Sequence, residues 1–412
     1  MTGIKIRTSV CIIGAGPAGA TTSIFLCKLG IPHVIVDAAT FPRDKICGDG
    51  LDLNAIRMLR HIDATVIDKI VSENKTSFTV SGGFRFILPG GKKVDIQPKR
   101  KNESTNKPMF LVSKRIDFDN FLLNKIDRNI ADVLLGTRVK KISRTNNVWN
   151  LEAENSEGKI EIESDLIIGA DGDHSIVLNY LGERKIDKDN YAGGVRQYWK
   201  GVKDLHPDNL LEVYFPKQLP LSYFWIFPLP DGRTNVGYGM ASHYIAKKNV
   251  NLRHAFDELI KTDPVLADRF KDAQPEETVK GWGIPMSGNK RKAHGDGWLL
   301  VGDAASIVCP TSGEGIGSGM ISGYVASKFI QRAVNQNNFT EKMFTNYDRE
   351  IHKRLTTEEK VYRFVNSIPP KVFSIGINTI LGSWLFKYVL ANKTMPRWLD
   401  TAYDKKIKVE LD

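Results

Sequence analysis

An α/β fold, interrupted by antiparallel sheet and ending in helices, is predicted by three observations. Two short apolar runs at residues 10–13 and 33–37 bracket a small-residue stretch at 17–29. From about residue 190 to 281 the period changes to alternation rich in aromatics. Beyond residue 313 no strand pattern returns. At 412 residues the chain is too long for one compact core, so two or three domains are expected.

Residues 10–13 read as a buried strand, and 17–29 as a helix ended by Gly30. With the strand at 33–37 they make a βαβ unit, whose two strands run parallel. A loop at 42–50 precedes a helix at 52–61. Residues 76–96 alternate, with turn signals at Gly82 and Gly90, and read as an antiparallel hairpin set. Residues 98–107, polar and rich in lysine, form an exposed loop. A strand at 109–113 and an amphipathic helix at 117–127 follow. Residues 131–163 read as a three-strand meander turning near Asn146 and Gly158, and 165–169 as a further strand reaching Ala170, Asp171 and Gly172. The second sheet, at 190–281, carries helices at 252–270. Residues 298–301 return to a buried strand, and 313–334 form a long helix. This arrangement is interleaved. Segments 1–75, 109–185 and 281–335 form one α/β domain, 76–108 and 186–280 a second, and 336–412 a helical C-terminal region.

The composition is that of an ordinary globular chain, with 42% hydrophobic and 25% charged residues. The net charge of +11 favours anionic partners or a soluble basic surface. No helix-turn-helix, zinc-finger or RNA-recognition signature is present, so no nucleic-acid partner is expected. The cysteines Cys11, Cys27, Cys47 and Cys309 form no CxxC pair and stand near no zinc-type His spacing, so no metal site and no disulfide framework are expected. Cys11 and Cys27 read as core packing; Cys47 and Cys309 lie in loops. The first strand leaves no room for a signal peptide, and the uncharged stretch 372–386 falls short of the roughly 20 residues that span a bilayer. A cytoplasmic protein is expected.

The residues Gly14, Ala15, Gly16, Pro17, Ala18 and Gly19 follow a strand and open a helix, as a Rossmann-like dinucleotide fingerprint requires. Gly14 permits the tight turn, Gly16 lets backbone approach a pyrophosphate, and Gly19 lets the helix pack on the strand. The helix N-terminus offers N–H groups to phosphate. Asp37 ends the second strand, where a carboxylate accepts ribose hydroxyls.

A second motif, Gly302-Asp303-Ala304-Ala305, continues through Gly313-Glu314-Gly315-Ile316-Gly317. Here the chain resembles the flavoprotein superfamily that includes aromatic hydroxylases and geranylgeranyl reductases. The resemblance implies FAD, with Asp303 on the ribityl chain and the backbone of Gly315 and Ile316 at the flavin ring. Residues 169–175 look like that superfamily's middle motif, which implies Asp171 supporting the pyrophosphate and meeting a nicotinamide donor. Arg115 resembles its phosphate-contacting Arg. Ala38, Cys47, Gly48, Val139 and Gly302 complete the implied FAD-binding set.

Residues 220–228 fit P-x-x-Y-x-W-x-F-P, similar to the substrate-domain pattern of geranylgeranyl reductases. On a strand Tyr223, Trp225 and Phe227 share one face, an aromatic wall for substrate, and Pro228 ends the strand. The related halogenase pattern W-x-W-x-I-P has Trp where this chain has Tyr223, and Ile where it has Phe227, which favours the reductase side. The segment around Cys47 resembles the reductases' K-x-C-G; the family often has more glycine where this chain has Asp49. Cys47 positions substrate, helps deliver a proton, or packs.

The resemblance implies an FAD-dependent reductase that saturates double bonds of a geranylgeranyl-type isoprenoid lipid by hydride from flavin N5 plus a proton, with Cys47, Tyr223 and Trp225 as catalytic residues. The alternatives are an FAD-dependent monooxygenase or halogenase acting on an apolar or aromatic substrate, and a non-catalytic or electron-carrying flavoprotein. No second fingerprint follows a strand, so NADPH or NADH docks briefly, or a reduced electron-carrier protein is the donor. The stretch 372–386, flanked by Lys371 and Lys387 with Trp384 near one end, either lies on the inner face of the membrane or covers the substrate tunnel.

Overall fold

The computed structural model describes residues 4–73, 76–98, 107–288 and 291–411. Most of the exposed loop expected at 98–107 lies outside the described residues.

The strand Ile4–Ile13 lies between His33–Val36 and Gly158–Gly169, parallel to both. Trp298–Leu300 extends the sheet beyond Gly158–Gly169, and Ala131–Leu134 beyond His33–Val36, again in parallel. Strands in such a layer are covered on both faces, which is why these segments are continuous apolar runs. The helix Pro17–Lys28 packs against the 20-residue helix Ile316–Asn335. They approach so closely that a Cβ on Gly323 would lie 2.5 Å from the Ala18 carbonyl oxygen.

The meander expected at 131–163 is corrected here. Residues 131–134 join the parallel sheet, and the antiparallel meander consists of Arg138–Thr145, Val148–Asn155 and Gly158–Gly169. The strand expected at 165–169 is the second half of that last strand. Its first half alternates between exposed and buried, because only one face is covered; its second half is buried throughout between parallel neighbours. The change of pattern within one strand looks like two strands in sequence.

A second, mixed sheet runs in the order Tyr191–Lys200, Arg233–Ala241, Ser222–Pro228, Leu211–Tyr214, Phe84–Ile87 and Lys93–Ile96, with Lys280–Pro285 on the outer side of Tyr191–Lys200. The two separated segments meet where Leu211–Tyr214 pairs in parallel with Phe84–Ile87. The hairpin set expected from residue 76 begins later. Thr79–Ser81 turns away and pairs with Phe110–Val112, which also carries Gly50–Leu51. The helices Leu252–Thr262 and Pro264–Phe270 cover one face of this sheet, burying Phe256, Leu259 and Phe270 against Phe224 and Ile226.

The long helix expected at 313–334 starts at Ile316, and the glycines before it form its approach loop. In the C-terminal region the apolar stretch 372–386 is broken at Ser383 into Pro370–Gly382 and Trp384–Val389, and the path onward through Asp404 bends by 60°. No single helix among the described residues is long and apolar enough to cross a membrane. One side of these helices packs on the second sheet through Leu381, Phe386, Leu390 and Met395.

Candidate active site

A cleft of about 550 Å³ separates the parallel sheet from the second sheet. Its lower wall starts at Gly14, whose φ of 105° needs glycine; a Cβ there would stand 2.5 Å from the Ala170 carbonyl oxygen. The Ala15 N–H donates to Asp37 at 2.7 Å, and the Ala39 N–H to the other Asp37 oxygen at 2.8 Å, so the carboxylate is fixed at the end of its strand. No side chain caps the helix that begins after Gly16. Gly14, Gly16, Ala18, Asp37, Ala38 and Val139 line this end. Ala15 and Gly19 do not; Gly19 lies against the Gly14 carbonyl, where a side chain has no room.

Arg115 is buried and holds Asp119 through two hydrogen bonds of 2.6 and 2.7 Å, while Arg43 pairs with the same carboxylate at 2.8 Å. Two guanidiniums thus share one acid beside the uncapped helix end, leaving net positive charge in the cleft. Asp171 accepts the Ile176 N–H at 2.8 Å, and burial pushes its carboxyl above the ordinary range. At the other end Gly302 and Asp303 form a 3₁₀ turn, Asp303 meets Lys45 at 3.4 Å, and the helix opening at Gly315 and Ile316 is again uncapped. Two helix N-termini, a paired-arginine site and a ribose-type carboxylate along one cleft fit FAD. Gly14, Gly16, Arg43 and Arg115 would hold its diphosphate, Asp37 its adenine-side ribose, and Asp303, Gly315 and Ile316 its flavin end.

The upper wall is built from side chains. Tyr223, Trp225 and Phe227 stand on one face of Ser222–Pro228, with ring centroids 5.9 and 6.5 Å apart along the row. Of these, Trp225 lines the cleft. The Tyr223 hydroxyl donates to the Ser312 carbonyl at 3.0 Å, which draws it to the loop before Ile316. Phe227 packs over Gly50, and Pro228 pairs with Thr234 at the strand end, away from the cleft. Cys47 and Gly48 line the cleft beneath Trp225. Burial raises the Cys47 thiol, against the opposing pull of Arg115, so it is a neutral thiol at neutral pH.

Sequence reasoning missed the group that holds this wall. The Asn235 amide donates to the Cys47 carbonyl and to Asp49, both at 2.8 Å, and accepts the Trp225 indole N–H at 2.9 Å. Tyr198 donates to the same Asp49 oxygen at 2.8 Å. Asp49 is buried in a left-handed conformation, φ 64°, which explains why glycine suits this position. Burial, against the hydrogen bonds of Asn235 and Tyr198, pushes its carboxyl up to about 6. A signal was present in Arg233–Ala241: Asn235, Gly237 and Gly239 share one face. A Cβ on Gly237 would lie 2.0 Å from the Trp225 ring, so small residues there leave the indole its bed. Near Ile316, burial and the neighbouring Asp52 raise the Glu314 carboxyl well above its usual range. At the cleft rim Trp282 lies under the Lys45 ammonium, 5.4 Å from the ring centroid. Among the described residues no cluster of His, Cys, Asp and Glu could hold a metal ion.

Known proteins are similar to this chain in sequence and in fold. Residues 7–358 match the FAD-binding-domain family. A digeranylgeranylglycerophospholipid reductase of Methanococcus vannielii is 26% identical over 89% of this chain and 88% of its own. A menaquinone reductase of Mycolicibacterium smegmatis is 28% identical over 79% and 77%. Among solved structures, a geranylgeranyl bacteriochlorophyll reductase-like protein of Thermoplasma acidophilum superimposes with a TM-score of 0.78 at 19% identity, over 97% of this chain and 98% of its own. A flavin-dependent brominase does so at 0.73 and 20% identity, over 96% and 98%. The chain belongs to the FAD-binding-domain family and is an FAD-dependent oxidoreductase.

Proposed function

We propose that this flavoenzyme saturates carbon–carbon double bonds of an isoprenoid chain of the geranylgeranyl type. The observation that carries the reading is the position of Trp225. It lines the cleft above the Cys47 segment, bedded on Gly237 and held by one hydrogen bond from its indole N–H. The reductase names of the relatives support the same reading.

When bound, FAD supplies a hydride to the alkene. An isolated prenyl double bond is not polarised, so positive charge develops on its tertiary carbon as a proton is added. The π-face of Trp225 stabilises that charge, a contribution of about 2 kcal/mol in a desolvated site. Val195 and Ile284 line the same part of the cleft and keep water from the reacting carbons. Cys47 carries a proton on Sγ inside the cleft, and its raised pKa keeps it there at neutral pH. Tyr223 and Phe227 flank Trp225 in the aromatic row and hold it in place. Electrons come from NADPH or NADH docking at the cleft mouth, or from a reduced carrier protein.

The test is anaerobic. The purified flavoprotein is reduced with dithionite, geranylgeranyl lipids are added, and flavin reoxidation is followed together with the mass of the lipid. Reoxidation with a gain of two hydrogens per double bond is expected. Reoxidation only on admission of oxygen, with a product that gains oxygen or halogen, would replace this reading with a monooxygenase or halogenase. A flavin that no donor reduces would point to a non-catalytic flavoprotein.

A further inference from the structure

We propose that the C-terminal helices form a docking face for an anionic lipid bilayer and lie in the plane of its interface. Large apolar side chains elsewhere in the protein are mostly buried, but along Thr356–Ser367, Pro370–Gly382 and Trp384–Val389 they point outward. Phe364 is 67% exposed, Ile375 68%, Trp384 74% and Leu385 64%. Exposed large apolar side chains concentrated in one stretch of the chain mark an interaction site.

The charge of the same segment selects the partner. Between Glu359 and Asp400 the sequence contains no carboxylate, but it carries Lys360, Arg363, Lys371, Lys387, Lys393 and Arg397. Among the described residues no ion pair neutralises Lys371, Lys393 or Arg397. Exposed apolar anchors, a tryptophan among them, in a segment whose exposed cations Lys371, Lys393 and Arg397 have no ion-pair partner among the described residues, match a leaflet whose head groups are negative. A second copy of this chain would bring one cationic segment against another, so self-association is disfavoured.

The geometry decides between lying on the bilayer and crossing it. The inner side of these helices is committed: Leu381, Phe386, Leu390 and Met395 pack with Leu88, Phe84 and Phe86 of the second sheet. A bend of 60° at Ser383 keeps the path on the protein surface. Crossing the membrane would strip that core, whereas lying in the interface buries only what is already exposed. Phe227, which stands in the aromatic row with Trp225, packs against the same core, so one hydrophobic cluster links the docking face to the aromatic row.

The experiment is vesicle flotation of the full flavoprotein, which needs no turnover and so stands apart from the anaerobic assay. One set of vesicles is phosphatidylcholine alone; the other contains roughly one third phosphatidylglycerol. The protein is expected to float with the anionic vesicles and not with the neutral ones. The double variant W384S/L385S should lose about ten-fold or more in affinity, and K371E/K393E a similar factor at low salt, with flavin content and melting temperature unchanged in both. Failure of the wild type to float with anionic vesicles overturns the proposal, as does equal flotation of W384S/L385S. A wild type that stays off both vesicles, but forms a dimer dissolved by W384S/L385S, overturns it in favour of self-association.

Discussion

One side of the cleft is lined by backbone at Gly14, Gly16, Gly315 and Ile316, with the charged groups of Arg43, Arg115, Asp37 and Asp303 beside it; the other is lined by Trp225 and Cys47, with the Asn235 amide behind them. The first wall would meet groups that any FAD presents, through turns of fixed conformation with free N–H groups and the fixed charges of Arg43, Arg115, Asp37 and Asp303. The second meets a variable partner, and its shape depends on buried hydrogen bonds that hold an aromatic ring. The difference separates cofactor retention from catalysis, and mutations on the two sides should divide accordingly.

The largest effect is expected at Gly14. G14A forces a Cβ into the Ala170 backbone at a positive φ, so the cofactor should be lost by more than ~100-fold in affinity. The ratio of flavin absorbance to protein after purification reports it. N235A comes next. It leaves Asp49 and the Trp225 indole N–H short of a partner in a buried site, a cost of about 2–3 kcal/mol in urea unfolding, with kcat falling while flavin remains bound. Loss of flavin in N235A with full flavin in G14A would reverse the division of labour. W225L should keep its FAD and lose about 30-fold in the rate of alkene reduction, the worth of one desolvated cation–π contact. Undiminished turnover in W225L would remove the wall from the chemistry.

The smallest effect is a pH dependence. Glu314 holds its proton in the folded protein above the range where an unfolded carboxyl ionises, because of burial and Asp52. The folded state therefore binds more protons, and its stability falls as pH rises from about 5 towards 8. E314Q should flatten that slope by about 1 kcal/mol or more, measured as the difference in melting temperature between the two proteins across that range. Asp49, pushed up to about 6, adds a second falling step that D49N removes.

The same contrast explains what could be read from the sequence. The backbone wall is local: the strand, the turn at Gly14 and the acid at Asp37 lie within one βαβ unit, and each residue type has a conformational reason to be there. The side-chain wall draws Asp49, Tyr198, Trp225 and Asn235 from separate segments, joined by hydrogen bonds that no spacing encodes. Alternation places Tyr223, Trp225 and Phe227 on one face, but not the bond to Ser312 that turns Tyr223 aside. In the fold, helices and turns follow from local pattern, whereas the partner of Ala131–Leu134 does not. A short strand carries no mark of whether its neighbour is parallel and distant or antiparallel and adjacent.

The pairing of Ile4–Ile13 with Gly158–Gly169, and of that strand with Trp298–Leu300, sets an order of assembly. During synthesis the first strand waits for a neighbour made much later, and the flavin end of the cleft, from Gly302 to Ile316, emerges after the whole second sheet. Until Trp298–Leu300 arrives, the end of Gly158–Gly169 at residues 167–169 is a bare edge, the kind of template on which nascent chains aggregate, while its first half is already covered by Val148–Asn155. Chains truncated between residues 170 and 298 are therefore expected to expose that edge and to aggregate more readily than the full chain.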